Sequence, residues 1–85
     1  MKNRLAVIAI FKENHKDEQG LLELMDEYYE YLISKHEVIQ IHGKKTVMTV
    51  IMEAPETVVS TFAGKIGLLR GTQCQVIYEK LPKKY

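Results

Sequence analysis

The pattern of apolar residues predicts an α+β fold, a βαββαβ sandwich in which a four-stranded antiparallel sheet carries two helices on one face. Three observations predict it. Leu5 to Phe11 and Thr46 to Met52 are apolar on both alternating sets of positions, as strands covered on two sides are. Two other stretches, after Asp17 and after Pro55, repeat their apolar residues every three to four positions, the period of a helix packed along one face. Gly43-Lys44, set between two extended runs, signals a tight hairpin.

Taken in order, the first strand is Leu5-Ala6-Val7-Ile8-Ala9-Ile10-Phe11, followed by a polar loop over Lys12–Lys16. Asp17 is the expected N-cap of the first helix, and Glu18 adds negative charge where the helix dipole favours it. The helix carries Leu21, Leu22, Leu24, Met25 and Tyr28, and by extension Leu32; the pairs 21/25, 24/28 and 28/32 define its inward stripe, and Glu23, Asp26, Glu27 and Glu30 fall on the outer side. The helix ends somewhere between Tyr28 and Lys35, because Tyr29, Tyr31 and Ile33 suit a strand equally well. Glu37 to His42 reads as strand in either case, and Thr46–Met52 as its hairpin partner. Ala54-Pro55-Glu56 opens a second helix, with Pro55 expected at the first helical position, where its missing N–H costs nothing. Val58, Val59, Phe62, Ala63 and Ile66 supply its packing face, and Gly67 and Gly71 bracket its end. Cys74 to Tyr78 alternates as an edge strand does. Right-handed crossovers around a central hairpin then give a ferredoxin-like sandwich with the first and third strands central.

The 85 residues form one domain, 1–85, with residues 79–85 as a tail; 46% are apolar and 27% charged, the balance of a globular chain. A domain this small has a thin stability margin, and oligomerisation is a common remedy. The single cysteine, Cys74, excludes an intrachain disulfide and fits a reducing compartment. The apolar run after Met1-Lys2-Asn3-Arg4 is far short of the roughly 20 residues a membrane span needs, and no small-residue cleavage site follows it. The expected location is the cytoplasm. Twelve basic and eleven acidic residues leave a net charge of +1 with no concentrated basic face, so direct nucleic-acid binding by this chain is not expected.

Enzymatic chemistry is not expected either. Cys74 has no evident histidine partner, Ser60 lies in a helix pattern, and the acidic residues of the first helix sit on its solvated side. His15, His36, His42 and Cys74 are chemically able to bind a metal ion. His36 and His42 are about 20 Å apart along one strand at ~3.3 Å per residue, and His42 and Cys74 belong to opposite sheet edges. No cofactor is therefore expected; the alternative is an ion held across two subunits by His15, His42 or Cys74. Gly64-Lys65-Ile66-Gly67 is the other candidate. It follows helix residues instead of opening a helix, the wrong end for anion binding by backbone N–H groups. The plain reading is that Gly64 permits close approach of helix to sheet and Gly67 begins the stop.

At this segment, Ala63-Gly64-Lys65-Ile66-Gly67-Leu68-Leu69-Arg70-Gly71 followed by a short alternating strand resembles the closing motif of a family of small proteins named as iron-only hydrogenase system regulators. The resemblance runs from Arg4 to Lys80. It implies an ACT-like version of the ferredoxin fold, similar to the C-terminal domain of nickel-responsive regulators, together with oligomerisation and a regulatory, transcription-linked role. It also implies that the second strand begins nearer Tyr29 than Glu37. The clustered histidines and downstream cysteine of the nickel regulators are not reproduced, so nickel binding does not transfer. With no DNA-binding element ahead of the domain, regulation is expected to run through a partner or a small ligand.

The leading expectation is a ligand-sensing homodimer or homotetramer. Its effector sites lie at subunit contacts or in the Lys12–Lys16 loop, with Asn14 and His15, and then Gly64 and Lys65, as ligand-binding residues. The alternatives are a module that docks a different protein on its open sheet face, and a metal-responsive regulator with a site between subunits.

Overall fold

A computed structural model of the chain describes residues 3–13, 18–39 and 44–80. Its elements are β1 (Asn3–Glu13), α1 (Glu18–Glu27), β2 (Leu32–Ile39), β3 (Lys45–Pro55), α2 (Glu56–Gly67) and β4 (Thr72–Tyr78), with a 3₁₀ turn at Tyr29–Tyr31 between α1 and β2. The sheet order is β2-β3-β1-β4 with every neighbouring pair antiparallel, the ferredoxin-like arrangement. The two strands apolar on both faces are the two central ones. Asp17 and the hairpin residue Gly43 lie outside the described residues.

One alternating set of each strand faces the helices. Ala6, Ile8 and Ile10 of β1 and Met48, Val50, Met52 and Ala54 of β3 meet Leu21, Leu24, Met25 and Tyr28 of the first crossover, and Val59, Phe62 and Ile66 of α2, in a single buried cluster. Phe62 sits fully buried at its centre, with its ring 4.9 Å from that of Tyr28. The tilted ring geometry contributes beyond the area buried. Cys74 belongs to the same face of β4, level with Ile10.

Several boundaries differ from the sequence expectation. The first helix takes its shorter form, ending at Glu27. Tyr28 is held by a backbone bond to Leu24 (3.1 Å), and Tyr31 by one to Tyr28 (3.0 Å), tightening the chain into the 3₁₀ turn. β2 starts at Leu32, opposite Met52, and a bulge between Leu32 and Ser34 puts Ile33 in solvent. The described part of that strand ends at Ile39. Leu22, apolar but not among the paired positions of the inward stripe, is 58% exposed. Pro55 is the N-cap of α2, not its first helical residue, and it also ends β3 opposite Asn3.

Arg4 ties the chain ends together. Its guanidinium donates to Glu56 Oε2 (2.8 Å) and to the Glu79 carbonyl (3.0 Å), and lies 4.5 Å from the centre of the Tyr78 ring. The start of α2 and the exit from β4 are thereby fixed to β1.

Among the described residues no element covers the other face of the sheet. Level rows across it read Val38, Val47, Phe11, Gln73; then His36, Thr49, Ala9, Gln75; then Ser34, Ile51, Val7, Ile77. Phe11 is 45% and Ile77 65% exposed, so the apolar character anticipated for this face is present and uncovered by the described residues. No helix among the described residues is long and apolar enough to cross a membrane.

The glycines of the closing motif serve different ends. Gly71 has φ 69°, a left-handed conformation that a side chain strains. Gly64 is exposed, and a Cβ added there meets nothing within 4 Å. The close helix-to-sheet approach expected at Gly64 is therefore absent. Gly64→Ala should stabilise the domain by about 0.5–1 kcal/mol, whereas Gly71→Ala should destabilise it by a similar amount. Urea midpoints at constant m-value measure both.

Cys74 Sγ donates to the Ala63 carbonyl across 3.3 Å, and desolvation raises its pKa. A thiol whose folded pKa is raised contributes stability that is complete below its unfolded pKa, about 8.5, and is lost as pH rises through the folded value. Denaturation at pH 8 to 11 should show this decline, and Cys74→Val should flatten it.

Candidate functional site

Continuing the inward set of β1 past Ala6, Ile8 and Ile10 lands on Lys12. Its side chain therefore points under the helices, and the residue is only 6% exposed. It stands level with Thr46 of β3 and Thr72 of β4, and these three are the buried polar residues among those described. An ammonium out of water costs several kcal/mol unless paired. Here Glu18, in the first turn of α1, brings Oε1 to 3.6 Å from Lys12 Nζ. Thr72 Oγ1 donates to the Arg70 carbonyl at 3.3 Å, and Glu13 N–H to the Gly71 carbonyl at 2.9 Å, which fixes the turn leading into β4. The core thus ends in a polar row beside the start of α1.

This row opens on a cleft. α1 packs over the central strands and leaves the helix-facing side of β2 uncovered, so Lys35 and Glu37, level with Val50 and Met48, remain exposed. Between α1 and β2 lies a cavity of about 230 Å³ whose floor is Leu21, Met25 and Met48 and whose charged groups are Lys12, Glu18, Lys35 and Glu37. Through Leu22, Met25 and Lys35 it shares its wall with a larger groove of about 520 Å³ that runs on past Asp26 and Tyr29 to Ile33. A further cavity of about 240 Å³ reaches Lys12 from the side of Gly71, Thr72 and Lys45. Two ammonium groups and two carboxylates above an apolar floor suit a small polar molecule carrying both charge and apolar surface. Cys74 is bonded to a backbone carbonyl, and the Thr61 hydroxyl donates to the Thr57 carbonyl (2.8 Å) inside α2.

The anticipated site residues fall as follows. Asn14, His15 and His42 lie outside the described residues. Of the loop expected over Lys12–Lys16, Lys12 and Glu13 instead continue β1, paired with Thr46 and Lys45 of β3. Lys65 lines none of these cavities. Its Nζ pairs with Glu27 Oε2 (3.1 Å) and lies 5.3 Å from the centre of the Tyr28 ring, clipping α2 to α1. The hydrogen bond with Glu27, and after it the one with Tyr28, raises the lysine pKa. Gly64 sits one residue away on the exposed side of α2. Cys74 faces the helices, and His36 faces the opposite side of the sheet, level with Thr49. Among the described residues no three His, Cys, Asp or Glu side chains converge as metal ligands. Lys12, Lys35 and Glu37 were not anticipated as a site. The signal available for Lys12 was a lysine at the next inward position of a buried strand; Lys35 and Glu37 required knowing that α1 leaves β2 bare.

Among solved structures, the uncharacterized protein TM1266 from Thermotoga maritima superposes with a TM-score of 0.87. The match covers 93% of this chain and 100% of that one, at 14% sequence identity, and establishes the shared fold. No curated protein matches the sequence. A family model described as "TM1266-like: Iron-only hydrogenase system regulator, putative" matches residues 4–76. The βαββαβ order, the open sheet face and the closing Gly64-Lys65-Ile66-Gly67 segment lie within or across that match, and the chain belongs to this TM1266-like family.

Proposed function

We propose that the chain is a non-enzymatic, cytoplasmic regulatory module. In this reading it works as a homo-oligomer and responds to a small effector held at the Lys12 end of the cleft between α1 and β2. The observation that carries the effector reading is the burial of Lys12: an ammonium with 6% exposure, paired at a loose 3.6 Å with Glu18, at the junction of two cavities. A lysine kept inside at such cost has a use for its charge. The effector class that fits is a small carboxylate- or phosphate-bearing metabolite with an apolar part, its anionic group on Lys12 and Lys35 and its apolar part on Leu21, Met25 and Met48. The family description supports a regulatory role connected with the iron-only hydrogenase system. Effector occupancy beside the C-terminal end of β1 would reach a partner protein through the oligomer, since β1 is shared by the cleft and the open face.

A second reading, docking of a different protein on the sheet, is supported by the exposure of Phe11 and Ile77. A metal site between subunits has less support, because Cys74 is turned toward α2.

Thermal unfolding of the wild type with a panel of L-amino acids, nucleotides and short carboxylates tests the effector reading. A ligand at one hundred times its Kd adds about 2.7 kcal/mol, which for a domain of this size is a rise of roughly 10–20 °C in Tm. Lys12→Met, which replaces the ammonium with an apolar group of similar length, should keep the fold and abolish the rise. Silence across the panel removes the effector from the reading.

A further inference from the structure

β3 presents to the open face the series Lys45, Val47, Thr49, Ile51, Glu53: a cation, three middle positions of small or apolar character, and an anion. The series is symmetric in size and opposite in charge about Thr49. Neither Lys45 nor Glu53 has an ion-pair partner among the described residues, although Arg4 lies close to Glu53 and takes Glu56 instead. Val47 beside Lys45, and Leu5 beside Glu53, are each more than a third exposed. An apolar strip closed by unlike charges at its two ends is complementary to itself turned end for end.

We propose that the open face is covered by a second copy of this chain. The two-fold axis lies in the plane of the interface, runs across the strands and passes at Thr49. β3 of one copy then lies antiparallel over β3 of the other. Val47 meets Ile51 of the partner subunit, and Lys45 meets Glu53 of the partner subunit, each contact occurring twice. Ala9, level with Thr49, lies on the axis and lets the central strands approach. Sheets stacked this way sit about 10 Å apart, within reach of a lysine and a glutamate extended toward each other. Four strands ~4.8 Å apart, over the eight steps from Lys45 to Glu53 at ~3.3 Å each, give roughly 500 Å² of projected sheet per copy, or about 1,000 Å² in all. That meets the lower bound for a specific association, about 1,000 Å². The inference rests on the oligomeric part of the proposed function and adds to it the face, the axis and the charge pair.

Sedimentation velocity and light scattering on the full chain test it. Lys45→Glu and Glu53→Lys each place like charges together twice and should weaken self-association at least tenfold, while far-UV circular dichroism stays unchanged because both positions are exposed. Mixed one to one, the two single variants should form a heterodimer, and the double exchange K45E/E53K should return the wild-type association constant within about threefold. Added salt should weaken the wild type and strengthen the association of each single variant with itself. A dimeric wild type indifferent to both exchanges, or rescue of Lys45→Glu by Glu13→Lys in place of Glu53→Lys, overturns this face and axis and leaves the oligomeric reading standing. A wild type that is monomeric at micromolar concentration overturns both.

Discussion

β1 and β3 pair without interruption from Asn3↔Pro55 to Glu13↔Lys45, and both strands carry apolar side chains on each face. Two short helices can cover one face only. The pairing therefore imposes a division: Ile8, Ile10, Val50 and Met52 become a closed core, while Val7, Phe11, Val47 and Ile51 lie on the face that no described helix covers. The outer strands follow from this. β2 and β4 each add one row of pairing to a central strand, and their own side chains are correspondingly less buried. An edge strand needs only one apolar face, which is why β4 alternates between Gln73, Gln75 and Ile77 outside and Cys74, Val76 and Tyr78 within.

The helices share the closed face unevenly. α2, with Val59, Phe62 and Ile66 fully buried, packs on β4 as well as on the central strands β1 and β3, and truncation of a residue such as Phe62 typically costs about 3–5 kcal/mol. α1 has ten residues and a weaker apolar stripe, and it is fastened at its C-terminal end by the Tyr28–Phe62 contact and the Glu27–Lys65 pair. That pair is exposed, so its own contribution is small, on the order of 0–1 kcal/mol. Its geometric effect is larger than its energy. With α1 held at that end against α2, its other side stands away from β2, and the cleft that contains Lys12, Lys35 and Glu37 is the space that remains. Lys65 thus bears on the cleft through helix placement and not by lining it, and Gly64, exposed with open space around it, touches neither.

The same strand links the two features of functional interest. Inward-facing Lys12 closes the polar end of the core, and outward-facing Phe11, its neighbour, belongs to the open sheet. A shift at the end of β1 moves both, since adjacent residues of a strand cannot be displaced independently. Regulation by a small effector and association through the sheet are physically compatible in this fold for that reason.

How much of this was legible beforehand differs from element to element. Strand and helix order, the central position of β1 and β3 and the apolar open face follow from local periodicity, which is a property of the chain itself. The end of α1 was ambiguous because Tyr28 to Ile33 satisfies helix and strand patterns together; the contact of Tyr28 with Phe62 and the pairing of Leu32 with Met52, both distant in sequence, decided it. Gly64 looked like a packing glycine and is solvent-facing, because the rotation of α2 about its axis is set by Val59, Phe62 and Ile66 together. The cleft was invisible for a related reason. Lys12, Glu18, Lys35 and Glu37 are spread over three elements, and only the placement of α1 relative to β2 brings them around one cavity. Periodicity determines which face of an element is apolar, whereas the distance between two elements is a balance of many side chains, and that balance exists only in the tertiary structure.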